Sequence, residues 1–266
     1  MGCQLVTLTT DFGIRDSYAA EMKAVILSIS PNAAVVDITH QIDKFDVKMG
    51  AYVLASASPQ FPDGTVHVAV VDPGVGTKRR PIIVQTDKCI FVGPDNGVLA
   101  LAVKNIRGKA RIYSITKSEF MLPKVSSSFH GRDIFAPAAA HLTTGTRPAE
   151  FGPEIHQMTL PKFAKIIRRR DTLEGQVIHI DDFGNIITNF TGKQFKTMKA
   201  NNKLNIKVGT TELTLTLCTA YGDVEKRRPL AIIGSHNFLE ISVNQGNAAK
   251  TFKTHVDDKV VLTCVD

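Results

Sequence analysis

Several of the usual carriers of chemistry are missing from this 266-residue chain. Its four cysteines, Cys3, Cys89, Cys218 and Cys264, are scattered and form no CxxC pair. That spacing excludes a zinc ribbon and predicts reduced, mostly buried thiols, not disulfides. No HExxH, clustered histidines or ladder of acids as in a calcium loop occurs, so the sequence requires no metal. Gly74-Val75-Gly76 is half of a dinucleotide fingerprint, but neither a full GxGxxG opening a helix nor GxxxxGK[ST] is present, and phosphate-loop chemistry is not supported. The tripeptide DFG occurs at Asp11–Gly13 and again at Asp182–Gly184. Without a glycine-rich loop, a lysine strand or an HRD loop, a kinase is excluded. No apolar run approaches the roughly 20 residues that span a bilayer, and "MGCQLVTLTTDFG" lacks the parts of a secretory signal. The expectation is a soluble cytoplasmic protein that does not engage a membrane.

What is present is a globular composition. Apolar residues make up 43% and charged residues 21% of the chain, enough for a large core and against disorder. The net charge of +7 is distributed over three separate clusters, Lys78–Arg80, Arg168–Arg170 and Lys226–Arg228. With no basic helix and no aromatic-rich RNA signature, a solvated surface or attraction of a small anion fits better than a nucleic-acid partner.

The pattern along the chain changes once. Up to about residue 145, strand-like runs alternate with helical ones: "QLVTLTT", then "SYAAEMKAVILSIS" with Tyr18, Met22, Val25, Ile26 and Ile29 on one face, then "AAVVDIT", "DVKMGAYVLASASPQF" and "GTVHVAVVD". Next come two strands around a turn at Asp87-Lys88, and a short helix in "DIFAPAAAHLTTG" that Gly145 ends. This order predicts an α/β layer with a mostly parallel sheet. From Leu173 onward short strand-like runs follow one another with almost no helical period, which predicts an antiparallel β-barrel or sandwich. The chain is therefore read as an α/β protein of two domains, 1–165 and 166–266.

Ligands of parallel sheets gather beyond the carboxyl ends of strands, where Asp11 and Asp72 are expected. Asp72 opens the bent turn "DPGVGTKRR". It could accept hydrogen bonds from its own turn amides, or it could face the guanidinium of Arg79, seven residues on. His130, in the polar loop "SSSFHGRDIFAP", is either a hydrogen-bonded structural histidine or a proton-handling group. Arg132 and Asp133 beside it read as a local ion pair and a helix-start charge. Asp11 could cap the following helix or hold a vicinal diol with its two oxygens. Asn185 and Asn247, each beside a glycine, read as turn formers.

Together, "TLTTDFGIRDSYAAEMKAVI", "VVDITHQIDKFDV", "VHVAVVDPGVGTKRRPI", "FVGPDNGVL", "FHGRDIFAPAAAHL", "IDDFGNIITN" and "ISVNQGNAA" resemble the S-adenosyl-L-methionine hydroxide adenosyltransferases. That family is related to the fluorinating and chlorinating enzymes that use the same substrate. The likeness spans nearly the whole chain in order. It implies that water, activated toward hydroxide, attacks C5′ of S-adenosylmethionine and releases methionine and adenosine, with the sulfonium compound as substrate and no cofactor. It implies a homotrimer whose sites lie between subunits. It places the hydrolytic triad on Asp72, Arg79 and His130, with Arg79 preferred over Arg80 by spacing. Among the binding residues it implies Asp11 for the ribose diol, Asn185 for the adenine edge and Tyr221 for packing on the purine. Ser235 and Asp181 fall to the methionine end, Asn247 and Ala248 to backbone contacts near adenine, and Glu240 to a further polar contact. The halogenating relatives carry an uncharged aromatic where this chain has Asp72 and lack a histidine at the His130 position, because a carboxylate repels an incoming halide. A hydrolase is thus expected over a halide-using 5′-adenosyl transferase. A binding protein that senses S-adenosylmethionine or adenosine without turnover is the other alternative.

Overall fold

Strand β1 (Leu5–Thr10) carries side chains that are buried along almost its whole length, as is β3 (Val66–Val70). Strands of this kind, covered on both faces, belong in the middle of a sheet. The computed structural model describes residues 4–106, 108–169, 172–196 and 203–263; Cys3, Cys264 and Arg170 lie outside the described residues. The chain divides into two compact units, Met1–Pro161 and Lys162–Asp266, where the sequence reading divides it at 165/166.

In the first unit β1 is followed by helix α1 (Tyr18–Ile29), edge strand β2 (Ala34–Thr39), helix α2 (Val47–Ala57) and β3. Then come β4 (Pro81–Gln85), β5 (Ile90–Pro94), α3 (Ala100–Asn105), β6 (Arg111–Ser114), α4 (Ala136–Thr143) and the two-residue β7 (Glu154–Ile155). The strand order is β2-β1-β3-β5-β4-β6-β7. Pairings from β2 to β5 are parallel, whereas those from β5 through β7 are antiparallel. The sheet is therefore mixed. The switch occurs at the tight β4–β5 turn, where the Thr86 hydroxyl accepts from the amides of Lys88 and Cys89, because so short a connection can only reverse the chain. Helix α2 starts where Asp46 accepts from the Met49 amide at 2.9 Å, a side-chain N-cap. Met22 and Ile26 of α1 enter a core with Val6, Leu8, Val68, Phe135 and Phe151. Tyr18, on the expected apolar face of α1, is instead 45% exposed, because it lies on the first turn, beside a cavity described below.

The register sets up the site. Thr10 of β1 lies opposite Val70 of β3, so Asp11 and Asp72 leave neighbouring parallel strands at the same carboxyl edge.

In the second unit, β9 (Thr172–Ile180), β10 (Ile186–Thr191), β11 (Lys203–Val208), β12 (Thr211–Cys218), β13 (Pro229–Ile233), β14 (Phe238–Val243) and β15 (Lys259–Thr263) form a ring. Its order is β10-β14-β13-β12-β11-β15-β9, closed by pairing of β9 with β10, and β8 (Ile167–Arg169) adds to β9 outside the ring. Closure removes the sheet edges. Strand β11 alternates between exposed and buried residues, sending Leu204, Ile206 and Val208 into a core with Val177, Phe190, Leu239 and Ile241. The ring has one parallel pairing, β12 with β13. The link between them is long enough, with a 3₁₀ turn at Tyr221–Asp223, to return the chain to the starting end. A short helix α5 (Ala248–Phe252) follows β14. Cys89 and Cys218 are buried, free thiols. Among the described residues no helix is long and apolar enough to cross a membrane.

His67 of β3 is fully buried. Its Nδ1 meets the Thr7 hydroxyl at 2.7 Å, and its ring stacks on Phe91 with 5.3 Å between centroids. Burial lowers its pKa to about 4, below the unfolded value of about 6.5. The unfolded chain thus binds this proton first, and the neutral ring's contribution is fully present above pH about 6.5 and fades toward pH about 4. Replacing His67 with Phe should flatten the pH dependence of stability. From pH about 7 to about 5, urea unfolding should show wild type losing about 2 kcal/mol more than the variant.

Candidate active site

The turn after β3 starts at Asp72 and is closed by the Val75 amide on the Asp72 carbonyl and the Thr77 amide on the Gly74 carbonyl. The Thr77 hydroxyl also donates to Gly74. These bonds curl the chain so that Arg79 returns to the acid that opened the turn. Arg79 Nε lies 2.9 Å from Asp72 Oδ2 and 3.1 Å from Oδ1, and its NH2 group also donates to Oδ2. Both side chains are almost wholly buried, 9% and 5% exposed. The second arginine of the pair turns away: Arg80 binds the Asp95 carboxylate and the Gln157 carbonyl. Asp72 therefore takes the arginine partner, not its own turn amides.

His130 joins the pair from another loop. Arg79 NH2 lies 2.6 Å from His130 Nδ1. A guanidinium has donors only, so Nδ1 must accept, and the proton of the neutral imidazole is assigned to Nε2. Burial lowers the His130 pKa, and the Arg79 charge adds to the shift, while Asp72, Asp133 and the Ser126 carbonyl oppose it. Residues Gly131–Phe135 form a π-helical turn leading into α4, a distortion often found at functional positions. Asp133, with a side chain 0% exposed, accepts from the Ser126 amide at 2.8 Å and hydroxyl at 2.7 Å. It also accepts from Arg132 Nε at 2.7 Å. Asp133 is thus more than the local ion pair the sequence suggests, since it fastens the loop that carries His130.

The two loops touch at Gly76. Its φ is +74°, and a Cβ there would lie 2.3 Å from the Ser127 carbonyl oxygen. Only glycine meets both conditions.

Asp11 lies on the same cavity wall and is 6% exposed. It does not cap α1, whose N-terminal position is held by Ser17. Its Oδ2 accepts from the Phe45 amide at 2.9 Å, and its carbonyl accepts from Lys44. Phe45 adopts φ +67°, unusual for an aromatic residue, and in that conformation its amide reaches Asp11. Lys44 and Phe45 were not among the sequence candidates; the signal for them was "DKFD" directly before α2, where a turn must meet the end of β1. Asp11, Lys44, Phe45, Asp72, Tyr18 and His130 line a cavity of about 320 Å³ within the first unit. Phe12, Tyr18 and Phe129 pack edge to face at one wall.

The remaining candidates belong to the second unit. Asp181 Oδ1 accepts from the Asn185 amide and Oδ2 from its side-chain nitrogen, both at 2.8 Å. Asn247 caps α5 through the Lys250 amide at 2.8 Å and presses against Gly184, where a Cβ would lie 2.1 Å from its side chain. The Ala249 amide bonds the Gly184 carbonyl, and Ala248 is buried. Asp181, Asn185, Asn247 and Ala248 thus form one cluster. Tyr221 donates to Glu240 Oε2 at 2.7 Å. Burial raises the Glu240 pKa, and the nearby Asp181 charge adds to the rise. Ser235 is in the exposed β13–β14 turn, next to Gly234, whose Cβ would overlap the Glu240 carboxylate. Among the described residues no group of three His, Cys, Asp or Glu side chains is arranged to hold a metal ion.

Two consequences are measurable. Gly76→Ala should cost about 2 kcal/mol in thermal or urea unfolding through strain at positive φ and collision with Ser127. In NMR titration of the imidazoles, Asp72→Asn should move the His130 midpoint to lower pH, since it leaves the Arg79 charge unopposed. Arg79→Gln should move it to higher pH.

The N-terminal domain of the family described as SAM hydroxide adenosyltransferase matches residues 6–152, and its C-terminal domain matches residues 175–261. A protein of Salinispora tropica named (R)-S-adenosyl-L-methionine hydrolase is 34% identical over 264 residues, covering 97% of each chain. One of the same name from Thermus thermophilus is 36% identical over 251 residues, 91% of this chain and 93% of that one. Proteins named fluorinase from Nocardia brasiliensis and an Actinoplanes species are 24% and 22% identical to this chain. A crystal structure of an uncharacterized conserved protein from Thermotoga maritima superposes with a TM-score of 0.85 at 35% identity, covering 97% of this chain and all of that one. With both of its domains matched in order, this chain belongs to the SAM hydroxide adenosyltransferase family.

Proposed function

We propose that the protein hydrolyses S-adenosyl-L-methionine to adenosine and L-methionine, and that Asp72, Arg79 and His130 carry the reaction. The observation that supports this most is the hydrogen-bonded chain from Asp72 through Arg79 to His130 on the wall of a cavity that also presents Asp11. In the reaction a lone pair of water forms the O–C5′ bond, and the C5′–S bond breaks with its electron pair going to sulfur. The sulfonium becomes the neutral thioether of methionine, and the water proton leaves the nucleophile.

The residues divide that task. Asp72 Oδ2 receives two hydrogen bonds from Arg79 and Oδ1 receives one. A carboxylate oxygen has two acceptor positions, so Oδ1 retains one for the water proton. Bulk water is a far weaker acid than a carboxylic acid, and a carboxylate is a weak base. Asp72 therefore orients the water and accepts its proton only as the O–C5′ bond develops. His130 is not the base through Nδ1, because Arg79 occupies that lone pair; its part is to hold Arg79, and through it Asp72, in place. The positive sulfonium favours the developing hydroxide and is already a good leaving group. A halide in place of water would meet the Asp72 charge, which favours hydrolysis over halide transfer.

In the same reading Asp11 holds the ribose diol. Asn185, with backbone groups of Asn247 and Ala248, meets adenine, and Tyr221 packs on the purine. Asp181 and Ser235 serve the methionine end. A cytoplasmic homotrimer whose sites are completed by a neighbouring copy belongs to the proposal; sedimentation equilibrium tests the assembly.

Incubation with S-adenosylmethionine in oxygen-18 water should yield methionine and adenosine labelled at the 5′ oxygen, read by mass spectrometry. Asp72→Asn should slow turnover by about 10²–10⁴-fold while adenosine binding persists. Unlabelled adenosine, or a variant as fast as wild type, would reject the mechanism.

A further inference from the structure

Behind the turn that presents Asp11 lies a file of polar groups that take no part in the chemistry. Thr10, the last residue of β1, and His40 are both buried. The Thr10 hydroxyl accepts from the Phe12 amide at 3.2 Å and meets His40 Nδ1 at 2.8 Å. The other ring nitrogen, Nε2, is 3.0 Å from Asp37 Oδ1, close enough to feel its charge though outside hydrogen-bond geometry. Lys23 of α1 holds Asp37 in turn at 2.6 Å. A carboxylate beside Nε2 favours the ring proton on that nitrogen, so Nδ1 is the acceptor and the Thr10 hydroxyl the donor. One hydroxyl thus gives to the imidazole and receives from the amide that follows Asp11. The backbone repeats the link: the Gly13 amide donates to the His40 carbonyl at 2.6 Å, and the Ile42 amide to the Thr10 carbonyl at 3.3 Å. A slip in strand pairing brings the file together. The register of β2 against β1 passes from Leu8–Asp37 to Thr9–Thr39, which makes Ile38 an extra residue, and such a bulge re-aims the side chains around it. Asp37 and His40 then meet, where residues three apart in a regular strand would point to opposite faces.

We propose that His40 is a positioning residue for the ribose: it touches no substrate, and through Thr10 it fixes the turn that presents Asp11. This rests on the reading above, in which Asp11 holds the ribose diol. Asp11 lines the cavity, whereas Thr10 and His40 do not. Lys44 and Phe45 hold Asp11 from the cavity side, and the file from Asp37 to Thr10 holds its turn from the buried side. A carboxylate that takes two hydroxyls at once tolerates little displacement, because a hydrogen bond weakens steeply as it bends or lengthens. The diol is held alike in the ground state and the transition state, so displacement falls on KM more than on kcat.

The test measures adenosine affinity by calorimetry on the full chain for wild type, His40→Leu, His40→Asn, Asp11→Ala and the Asp11→Ala/His40→Leu double variant. His40→Leu should weaken adenosine by about tenfold. His40→Asn, whose Oδ1 can stand where Nδ1 stands and accept from Thr10, should recover most of that loss, which a merely space-filling role would not allow. Once Asp11 is gone His40 has nothing to position, so the double variant should bind no more weakly than Asp11→Ala alone. S-adenosylmethionine turnover should show the His40→Leu loss in KM, with kcat kept within about twofold. If His40→Leu fails to fold, Thr10→Val and its rescue by Thr10→Ser carry the same comparison. Wild-type affinity in His40→Leu beside a loss in Asp11→Ala, or losses that multiply in the double variant, would overturn the role of His40 alone. Asp11→Ala binding adenosine as tightly as wild type, or a wild-type protein that binds no adenosine, would overturn the reading of Asp11 and this inference with it.

Discussion

The pairing of Asp72 with Arg79 is the constraint around which the first unit's site is organised. An almost fully buried carboxylate and guanidinium are tolerable only as a bonded pair, since either alone would leave an uncompensated charge. The pair therefore dictates the turn that joins them, and with it the glycine and proline content of "DPGVGTKRR". It dictates the state of His130 as well. The guanidinium has satisfied Asp72 and still has a donor to give, and that donor fixes the imidazole as neutral, with its proton on Nε2. One ion pair thus sets the geometry of an acid and the tautomer of an imidazole that lies 58 positions further along the chain.

The surrounding fold supplies what the pair cannot. Parallel pairing of β1 with β3 brings Asp11 alongside Asp72, and the close approach of Gly76 to Ser127 brings in the loop of His130. Asp133 then holds that loop by the same Ser126 whose carbonyl opposes the fall in the His130 pKa. The first two join segments distant in sequence, and the third closes the His130 loop on itself. That is why so much of the site can be rigid although little of it belongs to a helix or strand.

Elements governed by local pattern were legible in the sequence. The strand-helix alternation up to Gly145, the strand-rich remainder and the position of Asp11 and Asp72 at strand ends follow from periodicity and turn chemistry. What was not legible depends on contacts that periodicity does not encode. Adjacent arginines look equivalent in sequence, yet Arg79 turns inward to Asp72 while Arg80 reaches Asp95. The parallel β12–β13 pairing in an otherwise antiparallel ring depends on where the barrel closes. Phe45 at positive φ, with its amide on Asp11, is a meeting of two loops and has no pattern of its own. Asn247, which reads as a turn former beside glycine, instead caps the first turn of α5 through the Lys250 amide.

The polar residues of the two units share one design. Asp181 spends both oxygens on Asn185, Asp72 spends most of its acceptor capacity on Arg79, and Glu240 receives the phenol of Tyr221. In each case a carboxylate is tied by a specific partner before any ligand is present, so little reorganisation remains when one arrives. The cost falls on the folded state, which must bury charge to do it. The return is that the acceptor position left over on Asp72 points in a fixed direction. For an in-line displacement, in which nucleophile, carbon and leaving sulfur must align, such a fixed direction supplies what a weakly basic carboxylate cannot.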